Sequence, residues 1–155
     1  MNDFDKEINL KIMQELGLEP NRHKQLIDQD SGMAITINGM PVMAPGYYGG
    51  RNSIEFDPYN NKKMMSQLFG HFLEKYADEN DVSVSAFYNI DGKDTLGRVE
   101  CKFTDNQTIT SGAYSRDTLK YVDIVMQLNG EPECDLSKYD VVEKKTAVKS
   151  AKKKG

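Results

Sequence analysis

Apolar residues return at every fourth position near the start of the chain, at Phe4, Ile8, Ile12 and Leu16, and form one slowly drifting stripe on a 3.6-residue period. The spacing predicts a helix over Asp3 to Gly17. Asn2 or Asp3 can cap it, Gly17 supplies a left-handed stop with Leu18 as the hydrophobic contact after it, and Pro20 prevents continuation. Such a helix either docks on its own body or projects as an arm that buries Phe4, Ile8 and Ile12 against a partner.

Two apolar runs in MAITINGMPVMA, Met33 to Ala44, flank Asn38-Gly39, the dipeptide suited to positive φ at both central positions of a tight turn. A β-hairpin follows. Pro41 removes a ladder donor from the second strand, which places that strand on an edge or at a bulge. PGYYGGRN, Pro45 to Asn52, reads as a loop, and Ser53 to Phe56 as a short strand. Asp57-Pro58 then opens a helix running to about Tyr76, with Met65, Leu68, Phe69, Phe72 and Tyr76 on one face and Glu74 opposite.

Val82 to Ile90 alternates on a two-residue period and turns at Asp91-Gly92. On the return strand Val99, Cys101 and Phe103 point one way and Arg98, Glu100 and Lys102 the other, as a sheet with one solvated face requires. A short third strand is expected over Gln107 to Thr110. Ser115 to Asn129 is rich in β-branched residues, yet Arg116, Lys120, Asp123 and Gln127 gather into one narrow helical stripe with apolar residues around it. A largely buried helix ending at Asn129-Gly130 is the better reading. The expected fold is α+β: an N-terminal helix, a β-hairpin, a central helix, an antiparallel β-meander and a C-terminal helix packed on the sheet. Residues 1–20 form the N-terminal helix or arm, 21–130 the core domain, and 131–155 an irregular extension ending in a basic tail.

The 155 residues suit one domain with short appendages. Charge divides unevenly along them. Residues 1–143 carry all 24 acidic residues and 14 of the 20 basic ones, a formal charge of −10, while KKTAVKSAKKKG adds six lysines and brings the total to −4. Those lysines are Lys144, Lys145, Lys149, Lys152, Lys153 and Lys154. The N-terminus is acidic where a signal peptide is basic, and no apolar run reaches membrane-spanning length, so a soluble protein of the cytoplasm or of a virion is expected.

Candidate chemistry is sparse. Nucleophilic catalysis with a histidine base has only His23, in a polar segment, and His71, at the boundary of its helix's apolar face. DQDSG, Asp28 to Gly32, resembles the opening of a calcium loop, but Gly39 stands where the twelfth-position glutamate belongs, so an acidic turn is expected there. Asp91 and Asp94 are read as turn residues. Cys101 and Cys134 belong to no metal-binding spacing and are read as free thiols. No metal or cofactor is expected. Tyr47, Tyr48 and Arg51 in the glycine-rich loop are residue types that anchor interfaces, and they make the best contact site in the body. The tail suits attraction to phosphates or to an acidic protein surface, including that of another copy.

These features point to a non-catalytic structural or interaction subunit of a larger assembly, a virus or bacteriophage particle being the most natural instance. Its partners would be other protein subunits. A nucleic-acid-associated accessory protein using the tail and a small carboxylate-based enzyme are the alternatives.

Overall fold

A computed structural model describes residues 1–75, 81–88, 92, 96–104, 107–131 and 136–141. The fold is α+β, with helices laid on small sheets around one apolar core.

Helix α1, Asp3–Glu15, begins where the Asn2 side chain accepts the Asp5 N–H at 2.8 Å, and Asp3 and Asp5 complement the positive end of its dipole. It stops at Gly17, whose φ of 74° is a left-handed conformation that disfavours a side chain, and the Gly17 N–H returns to the Gln14 carbonyl. Strand β1, Leu18–Pro20, then pairs antiparallel with β2, Leu26–Asp28. The hairpin joins β3, Thr36–Ile37, to β4, Met40–Met43, through Asn38 (φ 53°) and Gly39 (φ 80°), the positive pair that a type I′ turn needs. Strand β5, Ile54–Glu55, adds to β4 in parallel.

This last pairing corrects the expectation for Pro41. Strand β4 is the central strand of its sheet, not an edge. Pro41 is tolerated because it faces Thr36 in an open pair and the parallel ladder starts only at Val42, so its missing N–H removes no ladder bond.

Helix α2, Lys62–Leu73, begins later than the Asp57-Pro58 signal implies. Asp57 to Asn61 form a turn in which the Asp57 carbonyl accepts the Asn60 and Asn61 N–H groups, and Asn61 caps the helix by accepting the Met64 N–H at 3.0 Å. The Asp57 carboxylate accepts the Asn60 N–H at 3.4 Å within this turn and the Asn9 amide at 2.7 Å. Met64, Met65, Leu68, Phe69, Phe72 and Leu73 are buried, and Tyr76 lies outside the described residues.

Strands β6, Val82–Tyr88, β7, Gly97–Phe103, and β8, Thr108–Thr110, form an antiparallel meander with β7 in the middle. Val99, Cys101 and Phe103 are buried as their alternation requires. Helix α3, Asp117–Leu128, packs on β7 and β8 and against α2. The middle of its polar stripe does not face water. Lys120 and Asp123 are 2% and 4% exposed, and each is paired inside the fold. The Lys120 ammonium meets Asp117 Oδ1 at 2.6 Å, and Asp123 Oδ2 accepts the Gly112 N–H at 2.6 Å.

Residues 136–141, including a 3-10 turn over Ser137–Tyr139, strap across α1 and the start of α3. Leu136 is fully buried, the Asp140 carboxylate accepts the Ser115 and Arg116 N–H groups, and Arg116 donates from its Nε to the Val141 carbonyl and from Nη1 to that of Tyr59. The Tyr59 hydroxyl donates to the Tyr139 carbonyl, and the Tyr139 hydroxyl donates to Glu7.

Helix α1 belongs to the same core. Ile8 and Ile12 are 0% and 1% exposed among residues of the chain's own body, so they are not the partner-facing residues expected of an arm. The stripe was legible from sequence, but its burying surface turns out to be intramolecular. No helix among the described residues is long and apolar enough to cross a membrane.

Candidate functional site

Two places in the fold present groups that its own packing does not use. The first is strand β6. Its seven residues, VSVSAFY, pair with β7 at every position without a bulge and contain neither charge nor proline. Among the described residues β6 is an edge, so no described strand pairs with the outer row of its main-chain N–H and C=O groups. The register sets Val84 against Cys101 and Ala86 against Val99, on the face where β7 is buried under α3. Yet Val84 and Ala86 are exposed, so the apolar face of the sheet continues one strand beyond its helical cover. Tyr88, 55% exposed, extends the same face, and Phe87, 46% exposed and opposite Arg98, adds an apolar side chain on the other one.

The Tyr88 end of β6 is held by ion pairing beneath it. Lys120 Nζ sits 4.6 Å from the Tyr88 ring centroid, and Asp117 binds Lys120 through one carboxylate oxygen and Lys62 through the other, each at 2.6 Å. Burial pushes the Asp117 carboxyl up, but the hydrogen bonds from Lys120 and Lys62 outweigh it and hold the group below the ordinary carboxylate range. Gly97 makes room for this arrangement. A Cβ there would lie 2.6 Å from Lys120 Nζ and 2.7 Å from the Phe87 carbonyl oxygen.

The second place is a cavity of about 310 Å³ between the hairpin and α2, lined by Ala34 to Asn38 on one side and by Gln67, Leu68 and His71 on the other. His71 Nε2 stands 3.3 Å from Asp28 Oδ2. Asp28, only 4% exposed, uses its other oxygen to accept the Asp30 N–H at 2.8 Å and the Ser31 N–H at 3.3 Å. Its burial pushes the carboxyl up, and these contacts together pull it below the ordinary range, so it is ionised at neutral pH and holds the His71 ring from behind. Asp30 pairs with Lys75 at 2.8 Å. The acidic turn is thus spent on its own backbone, a histidine and a lysine, and no group of three or more metal-ligating side chains occurs among the described residues.

The remaining sequence candidates are dispersed. Phe4 is half exposed and packs edgewise on Tyr59 and Tyr139, with ring centroids 6.2 and 5.4 Å away. Tyr47 receives Lys24 over its ring at 5.1 Å, Tyr48 is 85% exposed, and Arg51 is exposed. The loop is fastened at Gly46, whose N–H donates to Glu55 Oε2 at 2.7 Å. His23 is exposed beside Arg22. Cys101 is fully buried, and burial pushes its thiol up to about 11. Asp91, Asp94, Cys134 and the lysines Lys144, Lys145, Lys149, Lys152, Lys153 and Lys154 lie outside the described residues.

Sequence reading missed both surfaces. Alternation identifies β6 as a strand but does not say how far α3 reaches across the sheet, and His71 and Asp28 are separated by 43 residues. No family of known proteins, no curated protein and no solved structure matches this chain.

Proposed function

We propose that this chain is a non-catalytic interaction subunit that joins a larger protein assembly through the β6 edge of its sheet, with the lysine-rich tail as an electrostatic tether. The observation that carries the reading is the uncharged, unbulged seven-residue edge with apolar side chains exposed on it. Edges of this kind are ordinarily blunted by lysine, proline or a bulge, because they template pairing with another chain. Strand addition there would continue the sheet through main-chain hydrogen bonds while Val84, Phe87 and Tyr88 leave water. With α1 docked on the body, the tail is the extension left to grip a neighbour, and the −10 body of another copy is a matching surface. A virus or bacteriophage particle is an assembly in which such a subunit would serve.

The test is the mass of the native complex isolated with the full chain, compared with Val84→Lys and Ala86→Lys variants. Both positions are exposed, so the monomer fold should survive and the complex should be lost. Full incorporation of both variants would overturn the reading. Deleting residues 144–155 should weaken incorporation more at low salt than at high salt, where the attraction is already screened, and unchanged incorporation at every salt concentration would remove the tail from it.

A further inference from the structure

Strand β2 runs beside the residues leading into β3 only as far as Ile35, whose N–H donates to the Leu26 carbonyl at 2.9 Å; Gln25, just before β2, has already crossed to bridge Met43 of β4. Thr36 is therefore left without a strand on that side. Its other neighbour does not satisfy it either. In a two-residue hairpin Ile37–Met40 is a hydrogen-bonded pair, and the Val42 N–H to Ile35 carbonyl bond marks the next one, so Thr36–Pro41 between them is an open pair. The Thr36 N–H and C=O consequently turn away from β4, and Thr36 is an exposed residue lining the 310 Å³ cavity.

The rest of that cavity is chemically uniform. Ile35, Ile37 and Leu68 are buried apolar side chains, while Asn38 and Gln67 bring neutral amides. Among the described residues His71 is the one ionisable side chain in its lining, and its ring is held by Asp28. The volume falls at the small end of ligand sites. Free main-chain groups on one wall, amides opposite and aliphatic carbons between match an extended polypeptide better than a charged metabolite, for which the described lining holds no lysine or arginine.

We infer that this cavity is a recognition site for a short extended peptide carrying an aliphatic side chain, which adds as a strand to Thr36 while its side chain rests on Ile35 and Leu68. Gln67 and His71 close the far side by hydrogen bonding the peptide's outer main-chain groups, and Asp28 positions the His71 ring. The site is distinct from β6, so it can be occupied whether or not β6 engages an assembly.

The experiment uses isotope-labelled full-length protein and the tetrapeptide acetyl-Ser-Val-Ser-Val-amide at millimolar concentration, followed by amide chemical shifts. Saturable shifts should appear at Thr36, Asn38, Gln67 and His71 and not along β6. The same peptide methylated on its central amide nitrogens keeps its side chains but loses main-chain donors, and it should not bind. His71→Ala should weaken the peptide about fivefold to tenfold, the loss of one ordinary hydrogen bond. Absence of saturable shifts, equal binding of the methylated peptide, or shifts centred on other surfaces would each overturn the assignment. The Val84→Lys variant, which tests the assembly edge, should bind the peptide normally.

Discussion

Removing Asp117 should cost this protein far more than removing the lysine it neutralises. Lys120 is 2% exposed, with its ammonium 2.6 Å from Asp117 Oδ1. Asp117 has a second cation, Lys62, and retains 23% side-chain exposure. The two partners are therefore not equivalent. Asp117→Ala strands a buried ammonium, for which breaking a buried pair sets the scale at about 3–5 kcal/mol, and it also loses an acidic residue in the first turn of α3, worth about 0.3–1 kcal/mol. Lys120→Met keeps most of the aliphatic stem and leaves Asp117 paired with Lys62, so its cost should stay below about 1.5 kcal/mol. The double variant should be more stable than Asp117→Ala alone, because the stranded charge is gone. Urea unfolding followed by far-ultraviolet circular dichroism reads all four proteins at common slope. If Lys120→Met proved as damaging as Asp117→Ala, or if the double variant recovered nothing, the argument that desolvated charge governs this site would be wrong.

Further outcomes follow from neighbouring groups. Gly97→Ala places a Cβ 2.7 Å from a main-chain oxygen that cannot swing aside, so it should destabilise by about 2 kcal/mol or more in the same assay, and combining it with Lys120→Met should not restore stability. Asp28 and Asp117 both have carboxyls held below the ordinary value of 3.8, so each adds stability that is fully present above that value and is lost as pH falls through the lower folded-state value. An acid titration of unfolding free energy should therefore decline below about pH 4, and Asp28→Asn should make that decline shallower; an unchanged slope would separate Asp28 from acid stability.

The elements whose signals are local were legible in the sequence. Asn2 caps α1 and Gly17 stops it because both act within one turn, and Asn38-Gly39 fixes its hairpin through its own backbone preferences. Val99, Cys101 and Phe103 disclosed the buried face of β7 because alternation survives any arrangement of neighbours. Long-range partners defeated the same reasoning. Asp57 has the chemistry of a helix cap and does accept the Asn60 N–H, but it closes only a turn and shares its carboxylate with Asn9 across 48 residues, and Asn61 caps α2. Lys120 and Asp123 read only as part of a narrow polar stripe on a largely buried helix, because composition records polarity and not the counter-charge or N–H that permits burial. Ile8 and Ile12 showed a sticky face without showing what it sticks to. For the candidate sites, the exposure of β6 depends on where α3 ends laterally, and the His71–Asp28 pair depends on how the hairpin meets α2. Neither is written in any single window of the chain.

The strap over residues 136–141 gives the lysine tail a mechanical root. A pull on the chain beyond Val141 meets Arg116, then the Asp140 carboxylate astride two N–H groups at the start of α3, then the Tyr59 contact with the Tyr139 carbonyl and that of Tyr139 with Glu7 of α1. These bonds join the strap to three separate parts of the body, so a pull entering through the tail must break contacts with each of them before the strap comes away. A chain end rooted in this way can be tugged by a neighbour without unravelling the domain that carries it.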